Sequence, residues 1–264
     1  MNPAMNPVFS KRSFRADSVP AWTCPTCERC VLTLDTPDKL VIRPNAETKG
    51  NSGEDYWDHD YAGYVFSGML NCRGCGETVT FVGTGHVDQE YTDDGQDWEY
   101  VTMLTPNFFV PPLKIISPQA NDQVPDQIGQ LLAKAHEVCW ADPDSALNRL
   151  RTIVEEILDY KGVHRMDGRT RLSLHRRIQL FVEPGTEQVQ KAMLAIKYVG
   201  NDGSHGFSGV KRKDLLEVFS IVNYCLEKLF PVPADDSHVI AAVDRFNANQ
   251  GLRPRAVRSD ESAT

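Results

Sequence analysis

Two Cys-x-x-Cys turns, CPTC at 24–27 and CRGC at 72–75, constrain this chain more than any other feature. Such a turn offers two thiolates to one cation from the tip of a hairpin, and two turns complete a tetrahedral set. Structural zinc on Cys24, Cys27, Cys72 and Cys75 is the expectation. The alternatives are a metal-free β unit that keeps its thiols and a redox-active pair. Forty-four residues separate the pairs, and LVIRPNAETKGNSGEDYWDHDYAG within them reads as an inserted loop or hairpin. Cys30 is a spare thiol able to replace Cys27. A catalytic zinc keeps one position open for water, whereas four thiolates close the site. His59 and His86 read as surface residues, and the acidic, aromatic runs GEDYWDHDY and DQEYTDDGQDWEY as solvated loops, with Asp94-Gly95 a hairpin turn.

The hydrophobic period changes partway along the chain. VLTLDT, KLVIR, YVFSGML, ETVTFVGTG and WEYVTMLT are short β-branched or aromatic runs divided by turn residues, which predicts an antiparallel, hairpin-rich unit over 21–118. PNFFVPPLKIISPQANDQVP carries five prolines and reads as an extended connector, with the domain boundary near 118. Apolar stripes of helical period then follow, with Asp142-Pro143 as a cap and first-turn pair and with Leu215, Phe219, Val222, Leu226 and Leu229 on one face. Helices with short connections predict a bundle over 119–233. Cys139 and Cys225 stand alone in these stripes and read as small core residues. Residues 1–20 are expected to be a flexible lead and 234–264 a tail in which SHVIAAVDRFNANQ forms a further amphipathic turn or two. The fold class is therefore α+β.

Charge narrows the partners. The net charge is −8, and residues 1–120 hold 9 Lys/Arg against 16 Asp/Glu, while 121–230 hold 15 of each. That balance argues against nonspecific coating of nucleic acid, whose affinity comes from neutralising many phosphates. A local basic segment remains: Lys161, His164, Arg165, Arg169, Arg171, His175, Arg176 and Arg177, with Lys211, Arg212 and Lys213 opening a later helix. It is a candidate RNA, DNA or acidic-protein surface, against the plainer reading of solvated or interhelical ion pairs. The first twenty residues match neither a secretion signal nor a membrane span, so a cytoplasmic protein is expected.

The stretch KYVGNDGSHG, 197–206, interrupts a helical stripe. Gly200 fits the left-handed residue that ends a helix, Asn201 and Asp202 bond back to backbone, and His205 follows the turn. Its imidazole reads as a structural clasp or a proton-transfer group. On the second helical stripe, Arg151 and Glu155 form an i, i+4 pair, and Arg149 and Glu156 are candidates for a polar network with Asn201 or His205.

Residues 106–233 resemble the bacterial domain-of-unknown-function family 4145, on the proline-rich lead-in, ALNRLRTIVEEILD, RLSLHRRIQLF and the Gly200-Asn201-x-x-x-His205 element. That family resembles the HEPN superfamily of helical bundles, which holds metal-independent ribonucleases and noncatalytic partners in toxin, defence and RNA-processing systems, commonly as homodimers. The resemblance implies a HEPN-like bundle behind a zinc-ribbon-like β unit. Active members place Arg before Asn, where this chain has Gly200. The arginine would stabilise charge on the phosphate while the histidine moves the proton. The resemblance therefore implies a noncatalytic binding or regulatory module. The runner-up is a ribonuclease using His205 and Asn201 with Lys197 as substitute cation, and a zinc-ribbon nucleic-acid reader is third.

Overall fold

The computed structural model describes residues 7–92, 97–118, 123–204, 210–231 and 237–249. Its first half is an antiparallel curled sheet built on three long strands. They are β4 (Gly63–Cys72), β5 (Thr78–Tyr91) and β6 (Trp98–Val110), joined in that order. Period-two alternation puts Phe66, Leu70 and Cys72 of β4 on one face, with Val79 and Phe81 of β5 and Phe109 of β6 buried beside them. Short strands complete the sheet: β1 (Phe14–Arg15) on β6, and β2 (Leu32–Thr33) and β3 (Leu40–Pro44) on β4. A short helix α1 (Pro7–Ser10) precedes β1, and α2 (Ala46–Asn51) follows β3, its end capped by the Asn45 side chain, which accepts from the Thr48 N–H at 2.8 Å.

Strand β6 runs five residues past the point where proline was expected to end it. The ladder shifts register between Val82 and Gly83, pairing Val82 with Phe108 and Gly83 with Pro106. Pro106 has no N–H to give, and the bulge is the place in a central strand that tolerates that loss. A Cβ on Gly83 would lie 2.1 Å from the Thr105 carbonyl oxygen, so only glycine allows the strands to close there.

The second half is helical: α3 (Asp126–Val138), α4 (Pro143–Tyr160), α5 (Leu174–Leu180), α6 (Glu187–Ser204) and α7 (Arg212–Leu229). Asp142 caps α4 by accepting the Ser145 N–H at 3.0 Å, and Ser173 caps α5 by accepting that of Arg176 at 3.2 Å. A two-stranded hairpin, β7 (Met166–Asp167) and β8 (Thr170–Arg171), sits between α4 and α5. Helix α4 is central and packs on α3, α6 and α7 through Leu147, Leu150, Ile153, Val154, Ile157 and Leu158, all 1% exposed or less.

The expected boundary near 118 is not a division of the core. Trp22, ahead of the first cysteine turn, meets Phe109 at 5.1 Å and Phe81 at 5.8 Å between ring centroids on the sheet side, and Trp140, between α3 and α4, at 6.2 Å. Leu113, Ile115 and Ile116 of the proline-rich connector are fully buried in the same cluster. The connector is a wedge rather than a spacer, and one unit extends to Phe230. The expected flexible lead is likewise corrected from Val8 onward. Phe9 and Phe14 are 2% and 5% exposed, and Phe14 pairs with Leu104. Residues from Pro231 form a separate unit, of which Pro231 and α8 (Ser237–Asn249) are described. No helix among the described residues is long and apolar enough to cross a membrane.

Candidate metal centre

The first cysteine turn leaves Trp22 and rejoins the sheet at β2. The Leu32 N–H donates to the Trp22 carbonyl at 2.7 Å and the Cys24 N–H to the Cys30 carbonyl at 2.8 Å, which closes residues 24–30 into a loop. Within it Glu28 takes φ 54°. The second turn is the β4–β5 connection, in which Cys72 donates to the Glu77 carbonyl at 2.8 Å and Gly76 to the Cys72 carbonyl at 2.9 Å. Because β2 pairs with the end of β4, Leu32 opposite Cys72, the two turns are brought face to face. A bond from the Thr26 hydroxyl to Glu77 spans them at 2.5 Å.

The sulfurs of Cys24, Cys27, Cys72 and Cys75 all lie within 4.8 Å of one another. Cys24 and Cys75 are 3.7 Å apart, and Cys27 and Cys72 are 3.6 Å apart. A disulfide requires about 2.05 Å. Four thiolates around a zinc ion at about 2.3 Å stand about 3.8 Å from one another in tetrahedral geometry. The spacing fits a metal and not a disulfide. Backbone N–H groups of Arg29 and Cys30 aim at the Cys27 sulfur and hold its pKa down at about 6, and those of Cys75 and Gly74 depress Cys72. One cysteine of each turn, Cys27 and Cys72, thus favours the thiolate, the form that ligates. At Cys75 the Glu77 backbone hydrogen bond is outweighed by burial and the sulfurs of Cys72 and Cys24, which push the thiol up to about 12.

Cys30 is outside the set of four. It packs on the second turn, where a Cβ at Gly74 would meet its sulfur at 2.3 Å. Burial, then the charge of Cys27, pushes its thiol up. A cleft of about 720 Å³ opens beside Cys27, lined also by Lys114 and the buried His136. Lys114 pairs with Glu28 at 2.5 Å, which ties the connector to the cysteine loop, a link the sequence analysis missed. Cys139 and Cys225 are fully buried core residues, as expected.

Part of the basic segment is consumed by pairing within the chain. Arg177 is 3% exposed and donates to Asp159 at 2.6 Å and to the Val163 carbonyl at 2.8 Å. Arg165 chelates the same Asp159 and also reaches Glu156 at 3.2 Å, so Glu156 is directed to Arg165 rather than to a network with Arg149. Lys161 pairs with Glu183 at 3.4 Å. Arg212 is enclosed, donating to the carbonyls of Phe9 at 3.1 Å and Cys139 at 2.9 Å with its guanidinium 3.9 Å from the centroid of Trp140. Arg177 and Arg212 are therefore corrected from surface contacts to internal struts. Arg169, Arg171, Arg176 and Lys211 are exposed, in the β7–β8 turn, on β8, on α5 and at the residue before α7.

The 197–206 stretch also departs from expectation. Helix α6 continues through Gly200 to Ser204, so Gly200 is an interior helical residue and not a terminator. Its lack of a side chain serves packing: a Cβ there would stand 2.9 Å from the Cβ and 3.2 Å from the Cδ of Arg151 on α4. Arg151 pairs with Glu155 at 3.4 Å, as expected. Lys197 places its ammonium 4.3 Å from the centroid of the Tyr198 ring, and Asn201 is half-buried in α6. His205 lies outside the described residues.

Comparison with known families gives two separate matches. Residues 12–109, from β1 to the end of the sheet, match the model described as "Domain of unknown function (DUF8608)". Residues 133–247 match the model described as "Domain of unknown function (DUF4145)". No curated protein and no solved structure matches the chain. The sheet carrying the four cysteines and the helices from α3 onward are thus each similar to a family of its own, and neither description names an activity.

Proposed function

We propose that this protein is a noncatalytic binding or regulatory module whose four cysteines hold one structural zinc ion. The observation that carries the reading is the tetrathiolate set itself. Cys24, Cys27, Cys72 and Cys75 use all four positions of a tetrahedral ion, leaving none for water or substrate. Zinc is favoured by an all-sulfur donor set at tetrahedral spacing. When bound, the ion supplies cross-linking alone. This chain's residues do the rest: the N–H groups of Arg29, Cys30, Gly74 and Cys75 hold thiolate charge, and Leu32 pairing with Cys72 keeps the turns in register.

The occupied state of Arg165, Arg177 and Arg212 supports a protein-binding role over a nucleic-acid one, because their charge is spent on Asp159, Glu156 and backbone carbonyls. The setting we assign, on the resemblance of the Gly200-Asn201-x-x-x-His205 element, is a HEPN-like homodimer in the bacterial cytoplasm, in a defence or nucleic-acid-handling system.

One observation favours a second reading, the metal-independent ribonuclease. The aliphatic stem of Arg151 packs on Gly200, so an arginine stands beside the helix that carries Asn201 although the motif position lacks one, with its guanidinium paired to Glu155. Incubating zinc-loaded protein with structured and unstructured RNA, beside His205→Ala and Arg151→Ala, decides between them. The proposal expects no cleavage above that of His205→Ala. Cleavage lost in both variants assigns the ribonuclease instead.

A further inference from the structure

The two acidic, aromatic runs are 25 residues or more apart in sequence, and the fold sets the turn His59–Tyr61 of the first against Gln89 and Tyr100 of the second. Residues 53–62 carry four carboxylates, Glu54, Asp55, Asp58 and Asp60, and no lysine or arginine. At the far end of the β5–β6 hairpin, Tyr91 stands opposite Trp98 with ring centroids 3.7 Å apart, and Gln89 stands opposite Tyr100. Residues 98 and 100, like 89 and 91, share one face by the period of two. The turn His59–Tyr61 lies against that face: the His59 ring is 5.9 Å from Tyr100 and 5.4 Å from Trp57, and Gln89 donates to Asp60 at 3.5 Å.

The rings are not core. Trp98 and Tyr100 are each 54% exposed, Tyr91 59% and Tyr61 69%. A contiguous exposed aromatic surface marks an interaction site, and Trp and Tyr are the residues that anchor such sites. Its charge selects the partner. Arg15 reaches Glu90 and Glu99 at 3.2 and 3.1 Å, but those two stand opposite each other on the other face of the hairpin. Among the described residues no lysine or arginine pairs with Asp58 or Asp60. Open π faces beside unneutralised carboxylates repel phosphates and attract guanidinium groups, which stack on rings and bond carboxylates together.

We infer that this face docks an extended, arginine-bearing segment of a partner protein. The inference rests on the binding-module reading and names its partner class. Side chains two apart on that segment meet the Tyr91–Trp98 pair and the Tyr100–His59 pair, while Asp58 and Asp60 hold its charge.

The test is titration of zinc-loaded full-length protein with three fluorescent twelve-residue Gly/Ser peptides bearing four arginines, four glutamates or no charge, at two salt concentrations, beside a neutral oligosaccharide. Binding of the arginine peptide alone, weakened several-fold by salt, is expected. Trp98→Ala should weaken it tenfold or more. Asp58→Asn with Asp60→Asn, exposed changes that disturb no packing, should weaken it comparably with an unchanged melting temperature. Equal binding of the three peptides, binding of the oligosaccharide in place of the arginine peptide, or affinity unmoved in both variants overturns the inference. Failure here with one zinc bound and no RNA cleavage leaves the binding-module reading standing and removes only this face.

Discussion

Asp159 holds two cations of the basic segment, Arg165 and Arg177. Its carboxyl is held below the usual carboxylate range, by the hydrogen bonds from Arg165 first and then by the charge of Arg177. Arg177 also serves the Val163 carbonyl from a buried position, so truncation orphans a carbonyl and opens a void. Arg177→Ala is expected to cost about 2–3 kcal/mol in chemical denaturation, with Arg177→Lys in between, whereas Arg169→Ala and Arg171→Ala should stay within about 0.5 kcal/mol. Equal effects at all three positions would refute the internal role. Burial pushes His136 down to about 3, while its Nε2 accepts the Ile116 N–H at 3.4 Å and its ring stacks on Phe219. The unfolded chain binds a proton there near pH ~6.5 and the folded one does not, so stability falls as pH drops from about 6.5 towards 3. The loss is on the order of 4 kcal/mol across that window. His136→Gln keeps the acceptor and removes the titration. Its melting temperature should change less between pH 6.5 and 4 than that of the native chain, and an identical acid slope would contradict the buried neutral imidazole.

At the scale of elements, α6 and β6 both run through residues that ordinarily stop them. Gly200 lies inside α6 because the approach to α4 is too close for a side chain. Gly200→Ala gains about 1 kcal/mol of helix propensity and incurs about 1–3 kcal/mol of overpacking against the Arg151 Cβ, which cannot swing aside. A net loss near 1 kcal/mol, a fall of about 2–4 °C in melting temperature, is expected; a rise would mean that α6 does not press on α4. The same elements show what a sequence discloses. The α7 stripe, the Asp142 cap and the two cysteine turns were legible, because each is fixed by neighbours within a few residues. The course of α6 past Gly200, the passage of β6 over Pro106 and the burial of Arg177 were not. Each is decided by a partner far along the chain: Arg151, the bulged Gly83 and Asp159. Local propensity gave the opposite answer at Gly200 and Pro106, where tertiary contact outweighs it.

For the whole molecule, the cysteine centre and the aromatic core are consecutive layers of one structure. Trp22 is two residues from Cys24, and its ring bridges Phe109 of the sheet to Trp140 of the helices. Arg212 secures the other side of Trp140 and ties α7 to Phe9 and Cys139. A metal that fixes residues 24–30 to the β4–β5 turn therefore holds Trp22 in place as well, and its removal should loosen sheet and helices in one transition. Cys72→Ser with Cys75→Ser is expected to abolish metal retention and lower the melting temperature, whereas Cys30→Ser should retain the metal.

The most direct measurement is the metal content and melting of the purified chain before and after chelation, with cobalt substituted for the native ion. The account predicts one zinc per chain, a cobalt spectrum of tetrathiolate type, and a single transition that moves down when the metal is removed. A chain that folds without bound metal and melts unchanged in chelator would contradict it.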